Sequence, residues 1–523
     1  MIMRTVEKWD VFEVEVKGKS EGNPFADYTI SGTFAGQNET ITVDGFYDGE
    51  GVYRVRFMPS FEGHYTYQIS GSFSDSSTEE ATLSGEFEVT PASAGNHGPM
   101  RVRNTYHLGY EDGTPYYSIG TTCYAWVQQP EERQLETLET LKNSAFNKIR
   151  FCVFPKHYIY NLDEPITYPY EEGNREGLAE DELEHVRIFP PCETYPIKNF
   201  HYLRFNVEHF RRFDERIRQL RDWNIEADLI VMHPYDRWGF SHMTKEADDL
   251  YWKYVVARFA AYRNIWWSLA NEYDLLPQKK VADWERYAQI LCEKDPYKHL
   301  RSIHNCMGFY DYTKPWITHC SMQRQDYYRH VEYTDDYRVR YGKPIVWDEI
   351  CYEGNIDQGW GNISGQELTR RFWEASLRGG YAGHGETFNR EDQILWWSHG
   401  GKLHGESPER FRFLYQILSE TPGSGFLKAG PSSFDEVVGV PDQMMPDGYE
   451  IHYYGFSRPS SRLFRKQEDE EFEVEVIDTW EMTIEKRGRF SGMFRIELPG
   501  KEYMAIRLIP VKKGSKEFVP TAF

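Results

Sequence analysis

A chain of 523 residues, 40% of them apolar, is long enough for two or three domains, each with its own core. Its formal net charge of −22 excludes a nucleic-acid or anionic-membrane partner, which would need a basic face. No segment is apolar for long enough to span a bilayer. The seven cysteines are odd in number, scattered and without a CxxC pair, which fits reduced thiols better than a disulfide framework or a structural zinc. The first residues, MIMRTVEKWDVFEVEV, carry charge by Glu7 and Lys8 and hold no apolar signal core, so a cytoplasmic location is expected.

Residues 1–95 read as an all-β sandwich. Alternating runs such as DVFEVEVKG, TITVDGFYDG and VYRVRFMPS recur between Gly, Asp, Asn and Ser, as short antiparallel strands do. ASAGNHGP (92–99) is a linker. From 100 to 422 short buried runs alternate with helical patterns. The strand runs are 116–126, 146–155, 227–240, NIWWSLANE, 300–306, 316–323, 343–354 and 379–388. Eight strand–helix units over this length predict an α/β fold, a (β/α)8 TIM barrel. A doubly wound sheet is the alternative, but no glycine-rich phosphate turn follows the first strand. A long aromatic and acidic insertion, 156–198, separates the second strand from its helix. Residues 425–523 return to β patterning and predict a second sandwich.

The carboxyl ends of barrel strands share one face, where distant side chains converge. Here those ends carry Trp126, Arg150, His233, Asp236, Asn271, Glu272, His304, Gln323, Glu349, His384 and Glu386. Glu272 closes the fourth strand and Glu349 the seventh. A carboxyl there, against Trp266, Trp267 and Tyr273, is expected to suit a general acid near neutrality. Two carboxyls across a barrel mouth are what glycosidic cleavage requires, one to protonate the leaving oxygen and one as nucleophile or base.

On these motifs the chain resembles glycoside hydrolase clan A. ARFAAYRNIWWSLANEYD is similar to the clan's fourth-strand signature and KPIVWDE to its seventh. YSIGTTCYAW, HPYDRWGF, WITHCSMQ, DEICYE and GYAGHGE resemble the apiosidase-like barrels with flanking β-sandwiches. One departure stands in the first strand, where Thr121 occupies a position that is commonly Asp in those barrels. The resemblance implies that Glu272 is the acid/base and Glu349 the nucleophile. It further implies that Asn271 binds the hydroxyl beside the anomeric carbon, and that Arg150 keeps the nucleophile ionised. Gln323 and His384 would line the sugar subsite, with Trp126 flooring it and His233, Tyr235, Asp236 and Trp238 in a sugar-binding loop. His304 would belong to the same substrate-binding set. Glu386 would bind a substrate hydroxyl, and Glu353 would stand behind the site.

A metal-dependent hydrolase using His233, His304, His319 and His384 is a rival reading, although the first strand lacks the paired histidines such sites begin with. A non-catalytic carbohydrate-binding protein is another. The expectation is a retaining glycoside hydrolase, exo-acting, taking neutral oligosaccharides or plant glycosides as partners. No cofactor is expected, and self-association into a homo-oligomer stays open.

Overall fold

The computed structural model describes residues 3–74, 83–179, 183–187, 193–326, 328–430, 435–442 and 448–511. The extremes of both sandwich spans (1–2 and 512–523) lie outside these, as do residues 75–82 and, within the insertion, 180–182 and 188–192.

Eight parallel strands form the centre: β1 (Ile119–Thr122), β2 (Lys148–Cys152), β3 (Glu226–Met232), β4 (Ile265–Ala270), β5 (Arg301–Ser302), β6 (Cys320–Met322), β7 (Ile345–Trp347) and β8 (Tyr381–His384). They pair in the order β5-β4-β3-β2-β1-β8-β7-β6, a nearly closed barrel in which sequence neighbours are spatial neighbours. Hydroxyl groups close the seam between β5 and β6. Ser302 Oγ donates to the His319 carbonyl at 2.6 Å and accepts from Ser321 N at 3.1 Å. Thr318 N donates to the Arg301 carbonyl at 2.9 Å.

Around the barrel lie α1 (Glu131–Lys142), α2 (Val207–Asp222), α3 (Lys245–Phe259), α4 (Val281–Lys294), α5 (Thr334–Tyr341), α6 (Gly365–Leu377) and α7 (Ser407–Glu420). Asn206, Thr244 and Ser364 cap α2, α3 and α6 by accepting from backbone N–H groups of the first turn. Phe210, Phe213, Ile217 and Leu220 recur at helical spacing and give α2 its buried face. One expected strand–helix unit is missing, because residues 303–319 join β5 to β6 without a helix. Asp311 turns that segment by accepting from Thr313 N and Oγ1, and Pro315 follows.

The barrel interior is polar in rungs, not filled with branched aliphatics. At the bottom Trp266 Nε1 donates to Glu226 at 2.8 Å. Above it Lys148 Nζ contacts Asp228 at 2.9 Å and Asp348 at 2.8 Å, and Ser321 donates to Asp348. Arg150 forms the next rung, because alternate residues of β2 face inward. Gly120 pairs with Lys148, and a Cβ at Gly120 would stand 2.9 Å from Lys148 Cε. Burying charges is tolerable only when they are paired, as Lys148 is with Asp228 and Asp348, or neutralised, and burial pushes Glu226 up to about 8.

The N-terminal region is two sheets, one of five strands and one of three, closed over Phe12 stacked on Phe87 and Phe34 on Phe57. It docks on α2 and α3 through a buried cluster. Asp214 accepts from Arg56 Nη1 at 2.5 Å and Arg258 Nη2 at 2.6 Å, and Asp48 contacts Arg258 at 2.9 Å. The C-terminal region, a six-stranded and a two-stranded antiparallel sheet, encloses Phe464, Phe472, Val474, Phe494 and Leu508. It meets α6 through Tyr453 stacked on Trp373, centroids 5.6 Å apart.

Candidate active site

The Asn271–Glu272 pair is held from both neighbouring strands. Asn271 N donates to the Met232 carbonyl at the end of β3, and Tyr273 N to the His304 carbonyl beyond β5. Glu272 itself adopts the left-handed conformation, φ 50° and ψ 54°. Such a backbone is costly for a side chain other than Gly or Asn and persists where the surroundings over-determine it. Cys351, two residues past Glu349, is also left-handed at φ 64°. Both catalytic candidates thus sit at abrupt strand ends that turn their carboxyls into one cavity of about 220 Å³.

Glu272 is gripped on both oxygens. Tyr235 donates its hydroxyl to Oε2, Asn271 Nδ2 donates to the same oxygen at 3.2 Å, and Gln323 Nε2 donates to Oε1 at 2.8 Å. Glu349 accepts from the Tyr124 hydroxyl, and its Oε1 stands 3.6 Å from Arg150 Nη1. Burial and the Glu349 carboxylate push Tyr124 well above the ordinary phenol range, so it remains a donor. Arg150 Nη1 also donates to Asn271 Oδ1 at 2.8 Å. Because a guanidinium cannot accept, this bond turns the Asn271 amide so that its NH2 faces Glu272. His304, fully buried, lies beneath, Nδ1 3.8 Å from Glu349.

Burial and the neighbouring Glu272 push Glu349 up to about 7, against Arg150, Tyr124 and Lys156. Arg150 acts on Glu349 in the expected direction, favouring the carboxylate, while desolvation and like charge act against it. The Glu272 charge beside it thus favours a proton on Glu349 as pH falls. Acid-assisted displacement needs Glu349 as the carboxylate and a proton on the opposite carboxyl.

The cavity wall comes from segments far apart in the chain. Lys156 and Tyr158 open the insertion after β2, Trp397 lies in the short helix Trp396–His399, and Tyr352 and Trp360 follow β7. Cys306, Arg324, Gln325 and His330 complete the far side. Tyr124, Lys156 and Trp397 were not singled out from the sequence. Tyr124 lies inside the first-strand run and could have been tested as a strand-end donor.

Several residues expected at the substrate do not reach it. Trp126 is fully buried behind β2, edge-on to Phe151, and its Nε1 donates to the Gln134 carbonyl. His384 faces the helix layer, Nδ1 2.8 Å from Thr121 Oγ1 and its ring stacked on Phe146. Thr121 therefore points away from the cavity too, and the departure there does not alter the wall. His233 bonds the Phe154 carbonyl and the Tyr235 amide. Asp236 accepts from the amides of Trp238, Gly239 and Ser241, fixing the loop that carries Tyr235. Trp238 is buried under the insertion with Nε1 on Glu164. Glu386 accepts from the amides of His404 and Gly405, and Glu353 from those of Glu406 and Ser407, so both tie down the segment that opens α7. Among the described residues, His233, His304, His319 and His384 do not converge with other ligands into a metal-holding group.

Residues 102–404 match the family described as "Apiosidase-like, catalytic domain". Residues 5–72 and 437–509 match two domain families of unknown function. No curated protein matches the chain. Among solved structures, the chain is 35% identical to a provisionally assigned glycoside hydrolase from Bacteroides vulgatus, with a TM-score of 0.86 over 97% of this chain and 100% of that one. A family 5 glycoside hydrolase from Bacteroides vulgatus is 14% identical with a TM-score of 0.59, over 82% of this chain and 96% of that one. A further glycoside hydrolase is 16% identical at 0.56, over 81% and 98%. These last two share the fold.

Proposed function

The chain belongs to the apiosidase-like family and is a glycoside hydrolase, and from that premise we propose that it is a retaining, exo-acting enzyme releasing single terminal sugars from oligosaccharides or plant glycosides. The observation that carries this reading is the division of partners between the two carboxyls of one cavity. Glu349, with Tyr124 and Arg150 behind it, attacks the anomeric carbon as carboxylate. Glu272, oriented by Tyr235, Asn271 and Gln323, protonates the departing glycosidic oxygen. Glu272 then takes a proton from water, which attacks the glycosyl–Glu349 ester at the same carbon and restores both groups. In this reading Asn271 Nδ2, which donates to Glu272 Oε2 at 3.2 Å, also serves the hydroxyl beside the anomeric carbon.

Exo action is supported by size. A volume of about 220 Å³ equals about seven waters at about 30 Å³ each, which suits one sugar ring. The test is hydrolysis of aryl glycosides by wild type, Glu272→Ala and Glu349→Ala, with azide added. Glu272→Ala should yield a glycosyl azide of retained configuration, whereas Glu349→Ala should lose turnover through the covalent intermediate. Hydrolysis surviving both substitutions would overturn the reading.

A further inference from the structure

Lys156 stands where the insertion begins, only 3% exposed, on the wall of the catalytic cavity. Its ammonium lies 3.5 Å from the centroid of the Tyr124 ring, 4.3 Å from Tyr235, 4.5 Å from Trp397 and 5.4 Å from Tyr158. Aromatic faces attract a cation but leave its three N–H donors without conventional acceptors. Among the described residues no group accepts a hydrogen bond from this amine, and no carboxylate lies within 4.0 Å of it. Other buried lysines of the chain are paired. Lys148 contacts Asp228 and Asp348, and Lys279 contacts Asp248 at 2.6 Å and the Met243 carbonyl at 3.2 Å. A buried ammonium left unpaired costs free energy, and here its donors face the substrate space.

The charges around the cavity point the same way. Arg150 has partners, Glu349 Oε1 at 3.6 Å and Asn271 Oδ1 at 2.8 Å, whereas among the described residues Lys156 has no carboxylate within 4.0 Å. Burial pushes Lys156 down to about 8, opposed by Cys152 and by both catalytic carboxyls. Its positive charge is thus unmatched by any direct contact in a small, poorly screened space. The transition state of glycosyl transfer gains positive charge on the sugar ring, which a bare cation nearby opposes. A negative group on the sugar removes that conflict. The hydroxyls of Tyr124 and Tyr235 are already given to Glu349 and Glu272, so the cage around Lys156 offers rings and donors to its occupant.

We propose that Lys156 anchors an acidic substituent of the terminal sugar, so that the substrate is a uronic acid glycoside. This rests on the reading of the cavity as the sugar site, and it departs from the neutral sugars expected from sequence. The net charge of −22 does not oppose it at contact range, since salt screens exposed charges beyond about 8 Å.

The test is calorimetric binding of free glucuronate, galacturonate, their neutral parents glucose and galactose, and the corresponding 6-sulfates, to wild type and Lys156→Met. One uronate should bind wild type at least about tenfold more tightly than its parent, and Lys156→Met should abolish that preference. Equal binding of parent and uronate, no uronate binding, or a preference that survives Lys156→Met overturns the proposal. Tighter binding of a 6-sulfate overturns the carboxylate assignment in favour of a sulfated sugar. If Lys156→Met does not fold, the wild-type comparison decides alone. Binding is read without turnover, so a failed hydrolase mechanism, seen as activity surviving Glu349→Ala, is distinguishable from a failed anchor.

Discussion

Tyr235, in the loop after β3, donates its hydroxyl to Oε2 of Glu272 at the end of β4. The amides of Asn271 and Gln323 share in that grip. Glu272 is thus placed by three side chains from three strand ends, and its own backbone is strained into position. Removing one of the three loosens the group that must deliver a proton. Tyr235→Phe should lower kcat/KM by about ten- to a hundredfold on substrates with poor leaving groups. The loss should shrink on activated aryl glycosides, whose departure needs little protonation. Equal losses across a leaving-group series would show that Tyr235 serves binding instead.

The pH profile follows from the carboxyl pair. Glu349 sits near 7 because of burial and the adjacent Glu272, opposed by Arg150, Tyr124 and Lys156. The nucleophile works only when deprotonated, so kcat/KM should fall as pH drops below about 7. Glu272→Gln removes a neighbouring negative charge and should move that acid limb to lower pH, measured on an activated aryl substrate. A limb that stays in place would mean that another group sets it.

The same raised value carries a stability cost. An unfolded Glu titrates near 4.5 and folded Glu349 near 7. Between those values the folded protein holds a proton that the unfolded chain has released, so stability falls as pH rises through this window. Above it the full cost is present, on the order of 3 kcal/mol. Glu349→Gln should therefore raise the Tm at pH 8 and lose that advantage near pH 5. A gain independent of pH would point to packing instead of charge.

Asp214 neutralises Arg56 and Arg258 where the N-terminal sheets meet the barrel helices. Asp214→Ala leaves buried Arg258 with Asp48 and buried Arg56 with the half-buried Glu13 as their remaining carboxylates. Breaking such a group should cost about 3 to 5 kcal/mol, read as a fall in the urea midpoint. An unchanged midpoint would show that water enters the joint and takes over the role of the carboxylate.

Much of the fold was legible because buried parallel strands write apolar runs, as IWWSLA in β4 and LIVM in β3 do. Glu272 and Glu349 were legible because each follows such a run directly, and chain order alone puts strand ends on one face. Arg150 was legible for the same reason, lying inside β2 with an inward parity. The expectation failed where parity was needed and not counted. His384 on β8 and Thr121 on β1 fall on the outward alternation and meet each other in the helix layer. Glu386 and Asp236 lie past the regular strands, where their carboxylates are taken by backbone amides of their own loops.

By itself, then, the sequence determined the barrel, the β-rich regions on either side and the two carboxyls, since those depend on local patterning and on the order of elements. The tertiary structure decided what surrounds the carboxyls. Tyr124, Lys156, Tyr235 and Trp397 come from four separate segments, and nothing local in any of them records that the three rings meet around the Lys156 ammonium. Their convergence is set by how far each loop folds over the barrel mouth. That is a non-local balance of packing and hydrogen bonding, and only the assembled molecule expresses it.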